Sequence, residues 1–154
     1  TNIVISVTSN PVAPSAVALT SSNHRFFAKP RALSSAEIED IVRRFVESAV
    51  ILEKAGFSGV QIHSAHGYLL SQFLSPISNI RTDKWGGSLE NRIRLLLSII
   101  VSIRKATHKS FIVGIKLNSA DFQKGGFTED DSLKVLKILN QSKFKLDFVE
   151  ISGG

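Results

Sequence analysis

The sequence predicts an α/β fold in which amphipathic helices alternate with short parallel strands. Three helical segments are each followed by a short apolar run rich in β-branched residues, in the order helix, strand, helix, strand, helix, strand. This order is typical of βαβ units in a parallel sheet, and short apolar strands favour a sheet covered on both faces. A doubly wound sheet and a (β/α)₈ barrel both fit the pattern. A barrel typically needs about 250 residues, so the 154 residues of this chain can form only part of one.

The chain begins with a segment that lacks any sustained helical period. Residues 1–33 mix β-branched residues with Ser, Asn and Pro. We predict a short strand from Ile3 to Val7 and an irregular lead-in elsewhere in this segment. The βα units then occupy residues 34–154, and residues 1–154 together are expected to form one partial domain.

The first helix has clear start and stop signals. Ser34 and Glu37, three residues apart, have the spacing of a capping box, and Gly56 is placed to end the helix. One apolar face repeats at helical spacing and consists of Ile38, Ile41, Val42, Phe45, Ala49 and Leu52. The segment "GVQIH" follows and predicts a short strand that ends at or near His63.

The second and third helices are predicted by the same signals. Ser88 is the expected N-cap of a single helix through "LENRIRLLLSIIVSIRKA", and the strand "FIVGIKLN", interrupted by Lys116, comes next. Thr128, with Asp131 three residues later, caps a helix through "EDDSLKVLKILNQSK", whose acidic first turn suits the helix dipole. The segment "LDFVEISGG" predicts the last strand.

Composition narrows the class of protein. Cysteine is absent, so disulfides and thiolate chemistry are excluded, which fits a cytoplasmic protein. The formal charge of +6 is spread along the chain rather than gathered in one tract, so we expect no nucleic-acid partner. The apolar run "LLLSIIVSI" is too short to cross a bilayer, so we expect no membrane partner. The chain starts at Thr1 and contains no Met, so we expect a processed chain or a fragment.

Candidate site residues fall where predicted strands end. Loops that leave the carboxyl ends of parallel strands meet at one edge of the sheet, where ligands bind. His63 and Lys116 both lie near such ends. A lysine in an apolar strand is costly to bury, so Lys116 is expected to face an anion. The alternative is a lysine at the strand edge that reaches solvent.

Two histidines and a tyrosine lie close together after the first strand. His63 and His66 are three residues apart, so both rings can approach one acceptor atom, and Tyr68 can donate a proton in the same pocket. A metal site is disfavoured, because zincins place histidines four apart around a glutamate and Ser64 and Ala65 occupy the intervening positions here. Two partly buried histidines without a catalytic role remain the plain alternative.

The loop "SNIRTDKWGGSLENR" is expected to act as a scaffold. Arg81 and Asp83 are close enough to pair, and a Gly86-Gly87 turn leads into Ser88. A Gly-Gly pair before a helix can hold phosphate. However, neither the P-loop pattern nor the Gly-x-Gly-x-x-Gly pattern occurs in the chain, which disfavours a nucleotide-binding fold of those types.

The segment "AGFSGVQIHSAHGYLLSQFLSPISNIRTDKWGGSLENRIRLL" resembles the signature region of the Old Yellow Enzyme family, the FMN-dependent ene-reductases. The flanking segments "APSA", "PRALS", "VGIKLNSADF" and "DFVEISGG" resemble the family in the same order, so the resemblance extends from about Pro14 onward. It implies part of a (β/α)₈ TIM barrel, about strands 4 to 6 with their helices. It also implies FMN as cofactor, NAD(P)H as reductant and a small α,β-unsaturated carbonyl compound as substrate.

The resemblance assigns roles residue by residue. His63 and His66 match the pair that holds the substrate carbonyl oxygen, and His63 also matches a residue near the cofactor. A histidine at the second position of the pair resembles the thermophilic-like and dienoyl-CoA-reductase-like branches of the family. Tyr68 matches the proton donor to the substrate α-carbon. Lys116 matches a basic residue, commonly arginine, that contacts the flavin near N1 and the C2 carbonyl. Trp85 stands where the family more often has tyrosine.

The resemblance also implies an incomplete barrel. The family builds its FMN-phosphate site on later strands, which this chain does not contain. A second hypothesis is therefore a non-catalytic remnant that cannot hold FMN alone, and exposed strand edges would favour a homo-oligomer. A metal-dependent hydrolase that uses the two histidines is a third, weaker hypothesis.

Overall fold

The computed structural model describes residues 10–18, 28–141 and 146–153. The predicted strand from Ile3 to Val7 lies outside them. The strands of the described part are β1 (Val12–Ala13), β2 (Arg31–Ala32), β3 (Gly59–Ser64), β4 (Ile112–Asn118) and β5 (Phe148–Ser152). Its helices are α1 (Ser35–Lys54), α2 (Leu69–Leu74), α3 (Leu89–Arg92), α4 (Arg94–Ala106) and α5 (Glu129–Gln141).

The predicted caps of the first and last helices are present. Ser34 Oγ accepts a hydrogen bond from Glu37 N at 3.3 Å, and Ser34 N donates to Glu37 Oε2 at 2.9 Å, which completes the capping box. After α1 the chain turns at Gly56, whose φ of +89° suits glycine. Thr128 Oγ1 accepts from Asp131 N at 3.1 Å at the start of α5. These local signals therefore predicted where α1 and α5 begin.

The single helix predicted after Ser88 is wrong in one respect. The structure divides it at Ile93 into α3 and α4, although Ile93 keeps right-handed backbone angles (φ −79°, ψ −13°). The side chain of Arg92 is buried there and donates to the carbonyl oxygen of Leu74. Apolar periodicity continues through the interruption, because Ile93 itself is buried, so the sequence pattern does not reveal it.

Helix α2 was not predicted from the sequence. Its six residues are too few to establish a helical period, and Tyr68 at its N-cap makes no side-chain capping bond. The lead-in prediction also needs correction, because β1 and β2 pair in parallel as a small separate sheet within residues 1–33. Two-residue strands are below the length that a sequence pattern can indicate.

The main sheet has three parallel strands in the chain order β3-β4-β5. Its register places His63 beside Lys116 and Lys116 beside Glu150. Strands that follow one another in chain order without reversal are the arrangement of a (β/α)₈ barrel, whereas a doubly wound sheet reverses its order at a switch point.

The sheet is covered on one face, not on both as the apolar strands suggested. The covered face contributes Ile62, Val113, Ile115 and Leu117 to a core shared with Ile38, Ala49, Ile99, Ile103 and Val135 of the helices. On the opposite face, Gln61, His63, Phe148 and Glu150 are exposed in the described structure. Along the strands, this face carries polar residues and glycine at alternate positions. The apolar side chains that form the core therefore lie on the other face.

Within the part of the chain that the structure describes, no helix is both long enough and apolar enough to cross a bilayer.

Candidate active site

The site lies on the open face of the main sheet, near the carboxyl ends of its strands. His63 on β3, Lys116 on β4 and Glu150 on β5 are neighbours in register and share this face. The loop after β3 brings His66 and Tyr68 to the same end. The four residues predicted from the sequence, His63, His66, Tyr68 and Lys116, are therefore placed together.

The two histidines and the tyrosine form one aromatic group. The ring centroids of His63 and His66 are 5.1 Å apart with planes at 88°, and those of His63 and Tyr68 are 5.1 Å apart at 73°. Both are edge-to-face contacts, which aromatic rings favour. Tyr68 remains 63% exposed, so its phenol can reach a bound molecule.

His66 adopts an unusual backbone conformation. Its φ is +59° and that of Gly67 is +69°, so two consecutive residues are left-handed. Such a conformation is unfavourable for a residue with a side chain and persists where neighbours hold it. Two contacts do so: His66 N donates to Asn118 Oδ1 at 3.0 Å, and His66 Nε2 lies 2.5 Å from Ser152 Oγ. The imidazole tautomer determines which atom donates in the second contact.

Lys116 has an anionic neighbour that sequence reasoning missed. Its Nζ lies 2.9 Å from Glu150 Oε1, and the lysine side chain is 25% exposed. Gln61 Nε2 donates to Glu150 Oε2 at 2.7 Å, so the carboxylate is held from two strands. A signal was available, because Glu150 interrupts the apolar strand "DFVEIS" as Lys116 interrupts its neighbour.

Electrostatics in the site favour a neutral His63 and a charged Glu150. Burial lowers the pKa of His63, and the nearby His66 and Lys116 lower it further, while Glu150 opposes them. The hydrogen bonds from Lys116 and then Gln61 lower the pKa of Glu150. At neutral pH, His63 is therefore an uncharged ring with one donor and one acceptor, beside a lysine-carboxylate pair.

The predicted pair of Arg81 and Asp83 is present in the loop between α2 and α3. Arg81 pairs with Asp83 at 2.6 Å and donates to the carbonyl oxygens of Pro14 and Leu33 at 2.8 and 2.6 Å. The hydrogen bonds from Arg81 lower the pKa of Asp83. Trp85 is buried and its Nε1 donates to Ser35 Oγ at 3.2 Å. The loop thus joins the lead-in to the start of α1.

Chemically, the site combines hydrogen-bond donors with a proton donor and a cation. Two imidazoles can stabilise negative charge as it develops on an oxygen, and a phenol can transfer a proton. Within residues 10–18, 28–141 and 146–153, no three His, Cys, Asp or Glu side chains converge as a metal site would require. The arrangement can therefore hold an oxygen that carries negative charge and deliver a proton near it.

The structure has helices on one side of consecutive parallel strands and hydrogen-bond donors at the carboxyl ends of those strands. This is the arrangement of part of an α/β-barrel protein. The family model of the NADH:flavin oxidoreductase / NADH oxidase family matches residues 5–152. The chain belongs to this family.

Curated relatives are longer than this chain. It is 46% identical over 145 residues to the NADH-dependent flavin oxidoreductase nadA of Aspergillus parasiticus, covering 94% of this chain and 32% of the relative. It is 38% identical over 145 residues to an NADPH dehydrogenase of Clostridium acetobutylicum, covering 94% of this chain and 41% of that protein. The chain therefore spans about a third to two-fifths of the length of these relatives.

Solved structures confirm the predicted fold class. The chain superposes on Old Yellow Enzyme from Pichia sp. AKU4542 with a TM-score of 0.79 and 34% identity, covering 92% of this chain and 40% of that one. A 2-naphthoyl-CoA reductase gives a TM-score of 0.86 and 33% identity, covering 93% and 21%. The predicted incomplete (β/α)₈ barrel and the resemblance to the Old Yellow Enzyme family are both confirmed.

Proposed function

We propose that the protein containing this chain is an FMN-dependent oxidoreductase that reduces the activated C=C bond of α,β-unsaturated carbonyl compounds, with NAD(P)H as reductant. The observation that supports this proposal most strongly is the convergence of His63, His66 and Tyr68 beside Lys116. The family and its relatives support the class of redox chemistry.

The open face of the sheet fits one end of a flavin. Lys116 and Gln61 offer donors there, and the pyrimidine end of FMN carries acceptor atoms on which charge accumulates during reduction. We assign Lys116 to this end of the cofactor and His63 to its border with the substrate. A lysine supplies the charge of the more common arginine without its planar fork. When bound, FMN supplies the hydride that originates from NAD(P)H.

His63 and His66 are assigned to the substrate carbonyl oxygen. Their ring centroids are 5.1 Å apart, so both imidazoles are assigned to the same substrate oxygen. As the C=C bond is reduced, negative charge moves onto this oxygen, and donors fixed in advance stabilise it most in the transition state. A neutral His63 retains one N–H for this purpose, which is consistent with its lowered pKa.

Tyr68 is assigned to proton delivery at the substrate α-carbon. It lies at the start of α2, against the ring of His63 and open to the side where a substrate would lie. The phenol hydrogen completes the reduction after hydride reaches the β-carbon, so that the C=C bond gains one hydride and one proton.

The proposed setting follows the relatives and the sequence. We propose a small-molecule substrate and a cytoplasmic location, without nucleic-acid or membrane partners. The absence of cysteine and the spread of basic residues support this setting. Self-association into a homo-oligomer is proposed as well, since the open sheet face exposes Ile112 and Phe148.

A second candidate function is a non-catalytic remnant that cannot hold FMN alone. The same exposed residues, Ile112 and Phe148, favour it, because the open face of the sheet is not covered in the described structure. The two candidates differ in flavin retention, which the remnant lacks.

The proposed chemistry is tested by separating the two half-reactions in a Tyr68→Phe variant. Loss of the phenol should slow enone reduction about a hundredfold or more, while flavin reduction by NAD(P)H stays unchanged. Stopped-flow absorbance of the flavin measures both steps. Phe57→Leu, an exposed aromatic residue in the loop before β3, is the matched control and should alter neither step. Equal loss of both half-reactions in Tyr68→Phe would exclude the proton-donor role.

A further inference from the structure

Asn118 is a buried polar residue at the end of β4 with no role in the function proposed above. It is only 4% exposed. Buried asparagine is uncommon and its polar atoms need partners. Its side-chain oxygen accepts a hydrogen bond from the backbone of another element, His66 N, at 3.0 Å. The side chain of Asn118 thus connects the end of β4 to the loop after β3.

This hydrogen bond lies where the backbone is under strain. His66 has a φ of +59°, and Gly67 follows with a φ of +69°. A left-handed residue with a side chain persists when surrounding contacts fix it. Asn118 Oδ1 supplies such a contact at the amide of His66 itself. Without this acceptor, the amide would lose its partner and the loop would be free to adopt more favourable angles.

Asn118 is itself held in place from two sides. Its carbonyl oxygen accepts from Ser132 Oγ on α5 at 3.1 Å, and the next residue, Ser119, donates its N–H to the carbonyl oxygen of Ser152 on β5 at 2.8 Å. Ser152 Oγ in turn contacts His66 Nε2 at 2.5 Å. Hydrogen bonds therefore connect the backbone of His66 to the end of β4 and its ring to the end of β5.

The chemistry of the side chain also suits the site. An asparagine oxygen is a neutral acceptor, whereas a carboxylate would place negative charge beside histidines that are assigned to a developing negative oxygen. Tyr68 follows two residues after His66, so a change in the direction of this loop would move the phenol as well. One acceptor can therefore orient both groups.

We infer that Asn118 is a positioning residue, which sets the left-handed turn at His66 and so orients His66 and Tyr68 toward the substrate. The inference rests on the proposed function, because this orientation matters for catalysis only if the two side chains act on a substrate. Asn118 itself touches neither substrate nor cofactor in this assignment, and it acts through the His66 amide.

Backbone amide hydrogen exchange at His66, measured by NMR on the ¹⁵N-labelled chain, tests the inference directly. Asn118→Ala removes the acceptor and should raise the exchange rate about tenfold. Asn118→Asp retains an acceptor oxygen at the same reach and should preserve the protection. Asn140→Ala, an exposed asparagine on α5, is the matched control and should change nothing. Unchanged exchange in Asn118→Ala, or equal loss in Asn118→Ala and Asn118→Asp, would overturn the inference.

A fallback variant and one further measurement keep the test decisive. If Asn118→Ala fails to fold, Asn118→Asp alone decides, because loss of His66 protection in a folded Asn118→Asp chain would overturn the inference. In the FMN-loaded protein, Asn118→Ala should lower kcat/KM for an enone about ten- to hundredfold without changing flavin reduction by NAD(P)H. A wild-type protein that reduces no enone would refute the proposed function, while the exchange data would still show whether Asn118 holds His66.

Discussion

At the scale of single residues, the site depends on contacts between strands that are far apart in sequence. His63 and Lys116 were predicted because each is a chemically unusual residue near the end of a strand. Glu150 carried a similar signal in its own apolar strand, but its pairing with Lys116 at 2.9 Å across the sheet could not be predicted. Register determines such pairs, and register follows from packing rather than from local composition.

The same limit explains why Asn118 was missed. Its neighbours in sequence predict a strand end, but its partner His66 is 52 positions away in the chain. The left-handed conformation of His66 also has no signal of its own, because histidine is not a residue that requires it. The types of the catalytic candidates could be predicted from the sequence, but not the contacts that orient them.

The lowered pKa of His63 leads to a prediction about stability and pH. The unfolded chain binds a proton to this residue near the ordinary histidine pKa of 6.5, while in the folded chain the pKa is lowered, first by loss of solvent around the ring and then by the nearby His66 and Lys116. The unfolded state therefore binds more protons as pH falls through this region, so the free energy of unfolding should decrease. His63→Gln removes this titration and should make the decrease in the free energy of unfolding between about pH 8 and about pH 5 smaller than in the wild type.

Urea unfolding across that pH range measures the effect. His108→Gln is the matched control, since His108 is an exposed histidine in the loop before β4. A pH dependence in His63→Gln that equals the wild type would contradict the proposed cause.

At the scale of helices and strands, the elements with local signals were predicted best. The capping box at Ser34 and the Thr128 cap begin α1 and α5 where expected. The failures have a common physical origin. The short helix α2 and the interruption at Ile93 are defined by tertiary contacts, such as the buried Arg92 side chain on the Leu74 carbonyl.

The close packing of β4 against β5 gives a second prediction. Gly114 faces the open side of the sheet, and the ring of Phe148 occupies the space that a Cβ atom would need. Gly114→Ala should therefore displace the exposed Phe148 ring and destabilise the fold by about 1 kcal/mol. Chemical denaturation measures the change in the free energy of unfolding.

Two variants control this experiment. Gly153 has open space where a Cβ atom would lie, so Gly153→Ala should change the free energy of unfolding by less than about 0.5 kcal/mol. Phe148→Ala combined with Gly114→Ala should cost less than the sum of the two single changes, since the clash is gone. Full additivity would contradict the assigned contact.

At the scale of the whole molecule, the fold class was predicted but the covering of the sheet was not. Alternation of helices and strands indicates parallel βαβ units, and the order β3-β4-β5 together with one covered face is that of a barrel segment. The sequence pattern could not show that the helices cover one face, because Gly114 and the isolated polar residues only slightly interrupt apolar strands.

The open face of the main sheet is also the surface that is assigned to FMN. It exposes Gln61, His63 and Glu150 near the strand ends, and Ile112 and Phe148 near the other end. A flavin that lies on the polar part would cover it, and association with further protein would cover the apolar part.

The most direct test is the visible absorbance spectrum, after incubation with FMN and removal of free flavin, of the purified protein that contains this chain and of the chain alone. The proposed site predicts a retained flavin band that is shifted by the protein, and a weaker band in Lys116→Gln, because the cation assigned to the flavin is lost. A colourless wild-type protein would contradict the claim that these strand ends hold FMN, whereas a flavin band in the protein but not in the chain alone would favour the remnant that cannot hold FMN alone.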